Sequence, residues 1–394
     1  MRILYGVVGE GMGHATRSRV VLEHLCAANH EILVVVSGRA HQFLKERFVD
    51  RANFRLEEIH GLHLKVADNE IDRSASFWSN LEKVPSGLRK NIEVYDKVVG
   101  DFSPDVVVSD FESWAYFFAR FHQIPVVSID NMQVIQRCAH EPDLLVSDGV
   151  NWDFQLSKLI VKSKLPGAYH YLVSSFFFPR VRKRRTSLVP PILRPEILRA
   201  ERQPGDHVLV YQTSPTDTTL VPMLKRMSKY QFRVYGMGQE GNEGNVSLRP
   251  FSERGFIEDL SSARAVVAGG GYSLMGEAVH LGVPMLSVPI RGQFEQLLNA
   301  KYLDRLGYGH YAETLSEDRL DIFLSDLDNM DQRLASYPRQ EDNRMTLDCL
   351  DELLRHVHLD EPAPDSLESP AMGKFAMEID DEDTPLPSSG AQTS

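Results

Sequence analysis

The sequence predicts an α/β protein built as two Rossmann-like, doubly wound parallel-sheet domains that face each other across a cleft. Three observations lead there. Short apolar, β-branched runs recur along the chain, each followed by a longer amphipathic stretch. These runs fall into two series on either side of a stretch, 179–204, that holds five prolines. Each series carries one glycine-rich segment directly after an apolar run, Gly9–Gly13 in the first and Gly269–Gly271 in the second.

The elements follow in order. Arg2–Val8 reads as a strand and about 13–28 as a helix, then His30–Val36, Asp105–Ser109 and Pro125–Ile129 as further strands. Continuous apolar runs of this kind suit parallel strands covered on both faces. The second series holds His207–Tyr211, Phe232–Tyr235, Arg264–Ala268 and Pro284–Val288, with helices such as Ser273–Leu281 and Phe294–Leu306 between them. Proline fixes φ and removes a backbone donor, so the proline-rich stretch marks the domain boundary. The expected division is a first domain at 1–185, a linker at 186–204 and a second domain at 205–358, whose last helix is free to pack back on the first. An acidic tail follows at 359–394.

Composition narrows the class. A chain of 394 residues, 42% hydrophobic and 25% charged, has the size of two globular domains. No apolar run approaches the roughly 20 residues of a membrane span, and the chain enters a strand without a signal-peptide pattern. Three scattered cysteines, Cys26, Cys138 and Cys349, offer neither a disulfide framework nor a zinc spacing, which suits a reducing cytoplasm. The net charge of −12 is concentrated in 360–394, where nine acids and one lysine contribute −8. That segment has five prolines and few large apolar residues, so it is expected to be disordered.

The segment Gly9–Ser18 reads GEGMGHATRS. Gly9 and Gly11 fit the first two places of a dinucleotide fingerprint, but His14 stands in the third, and no acid follows the second strand to hold a ribose. Arg39 there leaves a 2′-phosphate, and so a dehydrogenase, open. Gly11 and Gly13 let the chain turn tightly after the strand, and the helix that follows points its N-terminal N–H groups into the cleft. His14 lies in that first turn, where a histidine bonded to backbone is the plain alternative to a functional one.

In the second segment a strand ends at Ala268, glycines form a loop, and Tyr272 and Ser273 open a helix, again an anion site of backbone donors. Glu277 follows one turn later, within reach of ribose hydroxyls. The next strand delivers Gln293, Glu295 and Gln296, with Asn299 a turn beyond, and acid and amide groups at a strand end suit a ligand rich in hydroxyls. The plain alternatives are turn glycines and a solvated Glu277.

These two segments resemble the GT-B glycosyltransferases, in the branch of the peptidoglycan N-acetylglucosaminyltransferase and the UDP-glucuronosyltransferase-like enzymes. The resemblance spans about residues 1–355. It implies that Gly270, Gly271, Tyr272 and Ser273 hold the donor diphosphate, that Glu277 takes the ribose hydroxyls, and that Glu295 and Gln296 meet the donor sugar. It places the backbone near Phe251 against the base, and more loosely puts Thr213 and Ser214 in a phosphate-contacting loop. It places the loop of Gly11 and Gly13 on the acceptor side. In the glucuronosyltransferase-like branch a histidine in this loop pairs with an aspartate about as far along as Asp110.

The chemistry points to the same site. A sugar–diphosphate donor needs its leaving group stabilised as charge develops, which helix-terminal donors do without a metal. No metal triad is expected, and Asp326-Leu327-Asp328 reads as surface. His14 suits a general base with Asp110 as its orienting partner, and Asp130, Asn131 and Gln133 close the next strand on the acceptor side. Asp110 and Asp130 would equally suit helix caps. The expected reaction is displacement of a nucleoside diphosphate, UDP, by an acceptor hydroxyl with inversion. The nucleotide sugar is a co-substrate, and no cofactor is expected. A non-hydrolysing nucleotide-sugar epimerase and a non-catalytic nucleotide-sugar-binding protein remain alternatives. Arg180–Arg185, following Phe176–Phe178, would suit a solvated linker or contact with an anionic membrane carrying a lipid-linked acceptor. A small-molecule acceptor is equally open, and nucleic acid is not expected.

Overall fold

The computed structural model describes residues 1–9, 11–61, 65–67, 70–72, 87, 89–145, 152–212 and 218–367. In chain order the first domain contributes β1 (Arg2–Val7), β2 (Glu31–Val36), β3 (Phe54–Glu58), β6 (Val106–Asp110), β7 (Val126–Asp130), β8 (His170–Ser174) and β9 (Thr186–Val189), with a separate antiparallel pair β4 (Lys65–Ala67) and β5 (Glu70–Asp72). Its seven-stranded sheet is parallel throughout, in the order β3-β2-β1-β6-β7-β8-β9. The second domain contributes β10 (His207–Tyr211), β11 (Gln231–Tyr235), β12 (Gly241–Glu243), β13 (Val246–Leu248), β14 (Ala265–Ala268), β15 (Met285–Ser287) and β16 (Gly309–Tyr311). Its order is β12-β13-β11-β10-β14-β15-β16, with β12 alone antiparallel.

Both sheets start at a central strand, wind to one edge and return, so each has a switch point, between β1 and β6 and between β10 and β14. The apolar continuity of the strands follows from cover on both faces. In β1, Leu4 packs with Leu33 and Val107 in one layer, while Ile3, Tyr5 and Val7 pack with Val21, Val34 and Val106 in the other.

The proline-rich stretch is partly sheet. Thr186–Val189 is the edge strand β9 of the first domain, inside the span read as linker. The chain then crosses between domains with its backbone satisfied by the C-terminal segment: Gln340 Nε2 donates to the Pro191 carbonyl at 2.9 Å, and Asn343 exchanges two 2.8 Å bonds with Leu193. The helix Arg344–His358 returns to the first domain, burying Cys349, Leu350, Leu353 and Leu354 against Val21, Leu22 and Leu25. His24 Nε2 meets both Asp351 oxygens at 2.9 Å. Residues 361–367 do not belong to a disordered tail. The Asp365 carbonyl accepts from Thr186 N–H at 3.0 Å, and Leu367 N–H donates to Ser187 Oγ at 2.7 Å with its side chain buried, which ties the segment along β9. The rest of the expected tail, 368–394, lies outside the described residues.

Candidate active site in the interdomain cleft

β1 and β6 are neighbours in register, Val7 beside Asp110. The helix Met12–Ala27 leaves the end of β1 through Gly11, whose φ of 78° is a left-handed value that glycine adopts readily. His14, Arg17 and Ser18 stand at i, i+3 and i+4 on one face of that helix, and all three converge on Asp110. His14 Nδ1 lies 2.8 Å from Asp110 Oδ1, Arg17 Nε donates to Oδ2 at 2.9 Å, Arg17 Nη2 donates to Oδ1, and Ser18 Oγ donates to Oδ2 at 3.0 Å. A carboxylate only accepts, so this contact is a hydrogen bond when His14 carries its proton on Nδ1, which leaves the lone pair on Nε2; Arg17 Nη2, itself a donor, lies 2.6 Å from the same Nδ1. Asp110 is fully buried, Arg17 is 5% exposed, and the His14 side chain is 21% exposed.

The electrostatics follow from this packing. Burial favours a neutral Asp110, but the Arg17 guanidinium and then His14 outweigh it and hold the carboxyl well below the usual range. Burial first, and Arg17 second, lower the proton affinity of His14 against the opposing pull of Asp110. Asp110 does not cap the helix that follows it. Glu112 does so, accepting from Trp114 N–H at 2.8 Å and Ala115 N–H at 2.7 Å. Between them Phe111 takes a φ of 56°, an uncommon value for an aromatic residue.

Asp130, by contrast, makes a local turn: Oδ1 accepts from Gln133 N–H at 2.9 Å and Oδ2 from Ser128 Oγ at 2.6 Å. Burial raises its pKa to about 6. Asn131 is buried with Nδ2 on the Ser174 carbonyl at 2.9 Å, while its Oδ1 and the Nε2 of buried Gln133 have no hydrogen-bond partner among the described residues.

On the facing side, Gly269–Gly271 follow β14 and open the helix Tyr272–Leu281, with Gly271 as its N-cap. Two side chains from the helix Phe294–Arg305 splint this loop. Gln296 Oε1 accepts from Gly270 N–H and Ile290 N–H, both at 3.1 Å, and Asn299 Nδ2 donates to the Gly270 carbonyl at 3.3 Å and Glu295 Oε1 at 3.1 Å. A Cβ on Gly270 would lie 2.3 Å from the Gln296 carbonyl oxygen, whereas one on Gly271 would meet nothing within 4 Å. Burial raises the pKa of Glu295 to about 7, against the pull of Arg17.

The first turns of the two helices touch. Ser273 Oγ donates to the Gly13 carbonyl at 3.2 Å, and a Cβ on Gly13 would lie 2.7 Å from that hydroxyl oxygen. Tyr272 points its hydroxyl at Ser174 Oγ of the first domain, 2.5 Å away, so only its backbone is left for an anion. Glu277 is buried and paired with Arg194 through both oxygens at 2.6 Å. Phe251 is 74% exposed just beyond β13, and Thr213 and Ser214 lie outside the described residues. A cavity of about 450 Å³, lined by Val221, Pro222, Met237, Gln239 and Leu248 among others, opens where β13 ends.

Arg17, Ser18 and Arg194 were not anticipated. The first two were legible in the spacing H-x-x-R-S, which repeats the helical face of His14, while Arg194 carries no sequence signal. Phe176 and Phe177 are core residues, and Phe177 stacks on Tyr302 at 3.9 Å, so these rings do not join Arg180–Arg185 in a surface patch. Among the described residues no group of three or more His, Cys, Asp or Glu is placed to hold a metal ion, and no helix is long and apolar enough to cross a membrane.

Residues 1–328 match the family described as Glycosyl transferase family 1. The chain belongs to that family. A family relative named an uncharacterized glycosyltransferase, from Methanosarcina mazei, is 26% identical over 341 residues, covering 78% of this chain and 85% of its own. The solved glycotransferase of kitacinnamycin superposes with a TM-score of 0.62 at 18% identity, over 90% of this chain and 98% of its own. Phytolacca americana UGT2, solved with UDP-2-fluoro-glucose and pterostilbene, gives 0.60 at 14% identity over 90% and 98%. The family 1 chain thus has the GT-B architecture, and it is a glycosyltransferase.

Proposed function

We propose that this glycosyltransferase moves a sugar from a UDP-sugar to an acceptor hydroxyl by a single inverting displacement, as in the branch of the peptidoglycan N-acetylglucosaminyltransferase and UDP-glucuronosyltransferase-like enzymes. One observation carries the reading: the His14–Asp110 pair stands at the start of a helix whose Gly13 carbonyl is hydrogen-bonded to Ser273, in the first turn of the helix that the opposing anion loop opens. In the reaction the acceptor oxygen bonds to the anomeric carbon on the face opposite the diphosphate. Its proton passes to His14 Nε2, and the carbon–oxygen bond to the diphosphate breaks with its electrons leaving on UDP. Backbone N–H groups at Gly271–Ser273 face the departing charge, a role that in other enzymes falls to a metal. In this reading Glu295 and Gln296 meet the donor sugar, and the backbone near Phe251 meets the base.

The test is incubation of UDP-sugars with and without candidate acceptors, in chelator. Transfer that needs acceptor and survives chelation is the expected outcome. Conversion of donor alone would instead favour an epimerase, binding without turnover a sensor, and turnover restored only by a divalent metal would overturn the metal-free mechanism. Three free, buried cysteines agree with a reducing cytoplasm as its site.

A lipid-linked acceptor at an anionic membrane is the form of this reading that the first domain's surface supports. The helix Trp152–Lys164 exposes Leu156, Leu159 and Ile160, and its Lys158 lies within electrostatic range of Lys162 and exposed Arg182. Co-sedimentation with anionic but not neutral vesicles, lost in a Leu159→Glu/Ile160→Glu variant, is the expected result.

A further inference from the structure

We propose that Arg17 is a positioning residue of the base: by sharing the Asp110 carboxylate with His14, it fixes that aspartate and offsets its charge, so that the imidazole stands neutral with Nδ1 protonated and Nε2 open. The inference rests on the reading of His14 as the base.

The geometry is unlike that of a simple histidine–aspartate pair. An aspartate alone beside an imidazole favours the imidazolium, because the two charges attract. Here the same carboxylate also takes the Arg17 fork, Nε on Oδ2 at 2.9 Å and Nη2 on Oδ1, while Ser18 fills the other approach to Oδ2 at 3.0 Å. Arg17 Nη2 stands 2.6 Å from His14 Nδ1, so two donors meet at one oxygen. A guanidinium cannot deprotonate in a protein, so an imidazolium formed here would face a permanent cation at contact distance. The groups acting on His14 are Arg17 and Lys164, which disfavour its charge, and Asp110, which favours it. Beyond Asp110, the Arg17 guanidinium acts on Asp130 and Glu295 and lies 5.8 Å from the ring of Tyr272. Tyr5 feels both Asp110 and Arg17 and donates to Ser18 Oγ at 3.5 Å. Arg17 is thus shared between the base and the buried carboxylates of both domains, and it keeps the base unprotonated toward lower pH.

The experiment is an NMR titration of the His14 ring C–H in the full chain, with the resonance identified by its loss in His14→Gln. Arg17→Met should raise the titration midpoint by about 1–3 pH units, and the acid limb of the pH–rate profile should move the same way. Arg17→Lys, which keeps the charge and loses the fork, should stay near the parent midpoint. If Arg17→Met does not fold, Arg17→Gln, still able to donate one hydrogen bond to Asp110, replaces it in the comparison. A midpoint that stays or falls in the folded neutral variant overturns the role of Arg17, because a purely structural arginine would cost stability and leave the titration where it was. A raised midpoint together with full turnover in His14→Ala would sink the base assignment and leave the electrostatic role of Arg17 standing.

Discussion

Arg194 and Glu277 are joined by two parallel hydrogen bonds of 2.6 Å, Nε to Oε1 and Nη2 to Oε2, with both side chains nearly buried. Arg194 comes from the segment that crosses between domains and Glu277 from the second turn of the helix behind the anion loop, so the pair ties the crossing to the nucleotide side. Read from sequence, Glu277 takes ribose hydroxyls. Each carboxylate oxygen has room for two donors, so a ribose contact would add to the arginine pair rather than replace it.

Glu277→Ala should therefore fail in two ways at once. It strands the Arg194 charge, a loss of about 3–5 kcal/mol for a broken buried pair, softened because Glu253 also lies 3.3 Å from Arg194. It also removes the ribose acceptor. Glu277→Ala/Arg194→Met should recover much of the melting temperature without recovering UDP affinity. Calorimetry and a UDP titration on the three proteins separate the effects, and affinity that returns with stability would leave Glu277 as a structural residue only.

The glycines of the anion loop should divide by the space around them. Gly270 has the Gln296 backbone where a Cβ would go, at 2.3 Å, so Gly270→Ala should lower the melting temperature with or without nucleotide. Gly271 faces open space at a φ of −64° that any residue adopts. Gly271→Val should keep the fold at a cost of about 1 kcal/mol from the cap position, and should weaken UDP binding by filling the approach to the helix N-terminus. Melting curves at several UDP concentrations decide: an equal UDP-induced shift in Gly271→Val and the parent would place the phosphates elsewhere.

Asp130 gives a pH dependence with a defined sign. Its folded pKa of about 6 stands above the roughly 3.9 of an unfolded aspartate. Between those values the folded chain holds more protons than the unfolded one, so this group makes stability fall as pH rises from about 4 to 6 and adds no slope above that. Asp130→Asn cannot titrate and can keep the Oδ1 bond from Gln133 N–H. The variant should gain on the parent across that window by on the order of 2 kcal/mol and hold the gain at higher pH. Denaturant unfolding at pH 4, 5, 6 and 7.5 measures the difference, and because the Asp130 charge helps to raise Glu295, the comparison is made in a Glu295→Gln background, where that second titration is absent. A constant difference across the four pH values would refute the raised pKa.

Much of this was legible in the chain because parallel strands buried on both faces must be apolar at every position. β1, β2, β6 and β7 announce themselves for that reason. β3 does not: Phe54-Arg55-Leu56-Glu57-Glu58 is an edge strand with an exposed arginine, and its pairing with β2 is set by the sheet rather than by its own pattern. β9 hides between a basic cluster and two prolines. At the site, the glycine loops, His14 and Asp110 were legible because strand ends and helix starts are marked by residue type. Arg194 was not, since the helix that receives it is 83 residues further on and pairing at that range has no local signature.

His14 and Asp110 should act as a unit, and the structure changes how that unit must be tested. Removal of a general base costs about 10²–10⁴ in rate, so His14→Ala should lose turnover in that range while UDP affinity holds, because the anion loop belongs to the other domain. Asp110→Asn should lose rate too, but its effect is not confined to the imidazole. It takes the charge partner from Arg17, which is 5% exposed, so it should also lower the melting temperature where His14→Ala does not. Asp110→Asn/Arg17→Met removes both charges and should restore part of the stability without restoring the rate. The rate comparison is therefore made on proteins shown to be folded at the assay temperature, at saturating donor. There the double variant His14→Ala/Asp110→Asn should be no slower than the worse single variant by more than a small factor, since an orienting carboxylate has nothing to orient once the imidazole is gone. Losses that multiply would mean that Asp110 serves the reaction through Arg17 instead of through His14.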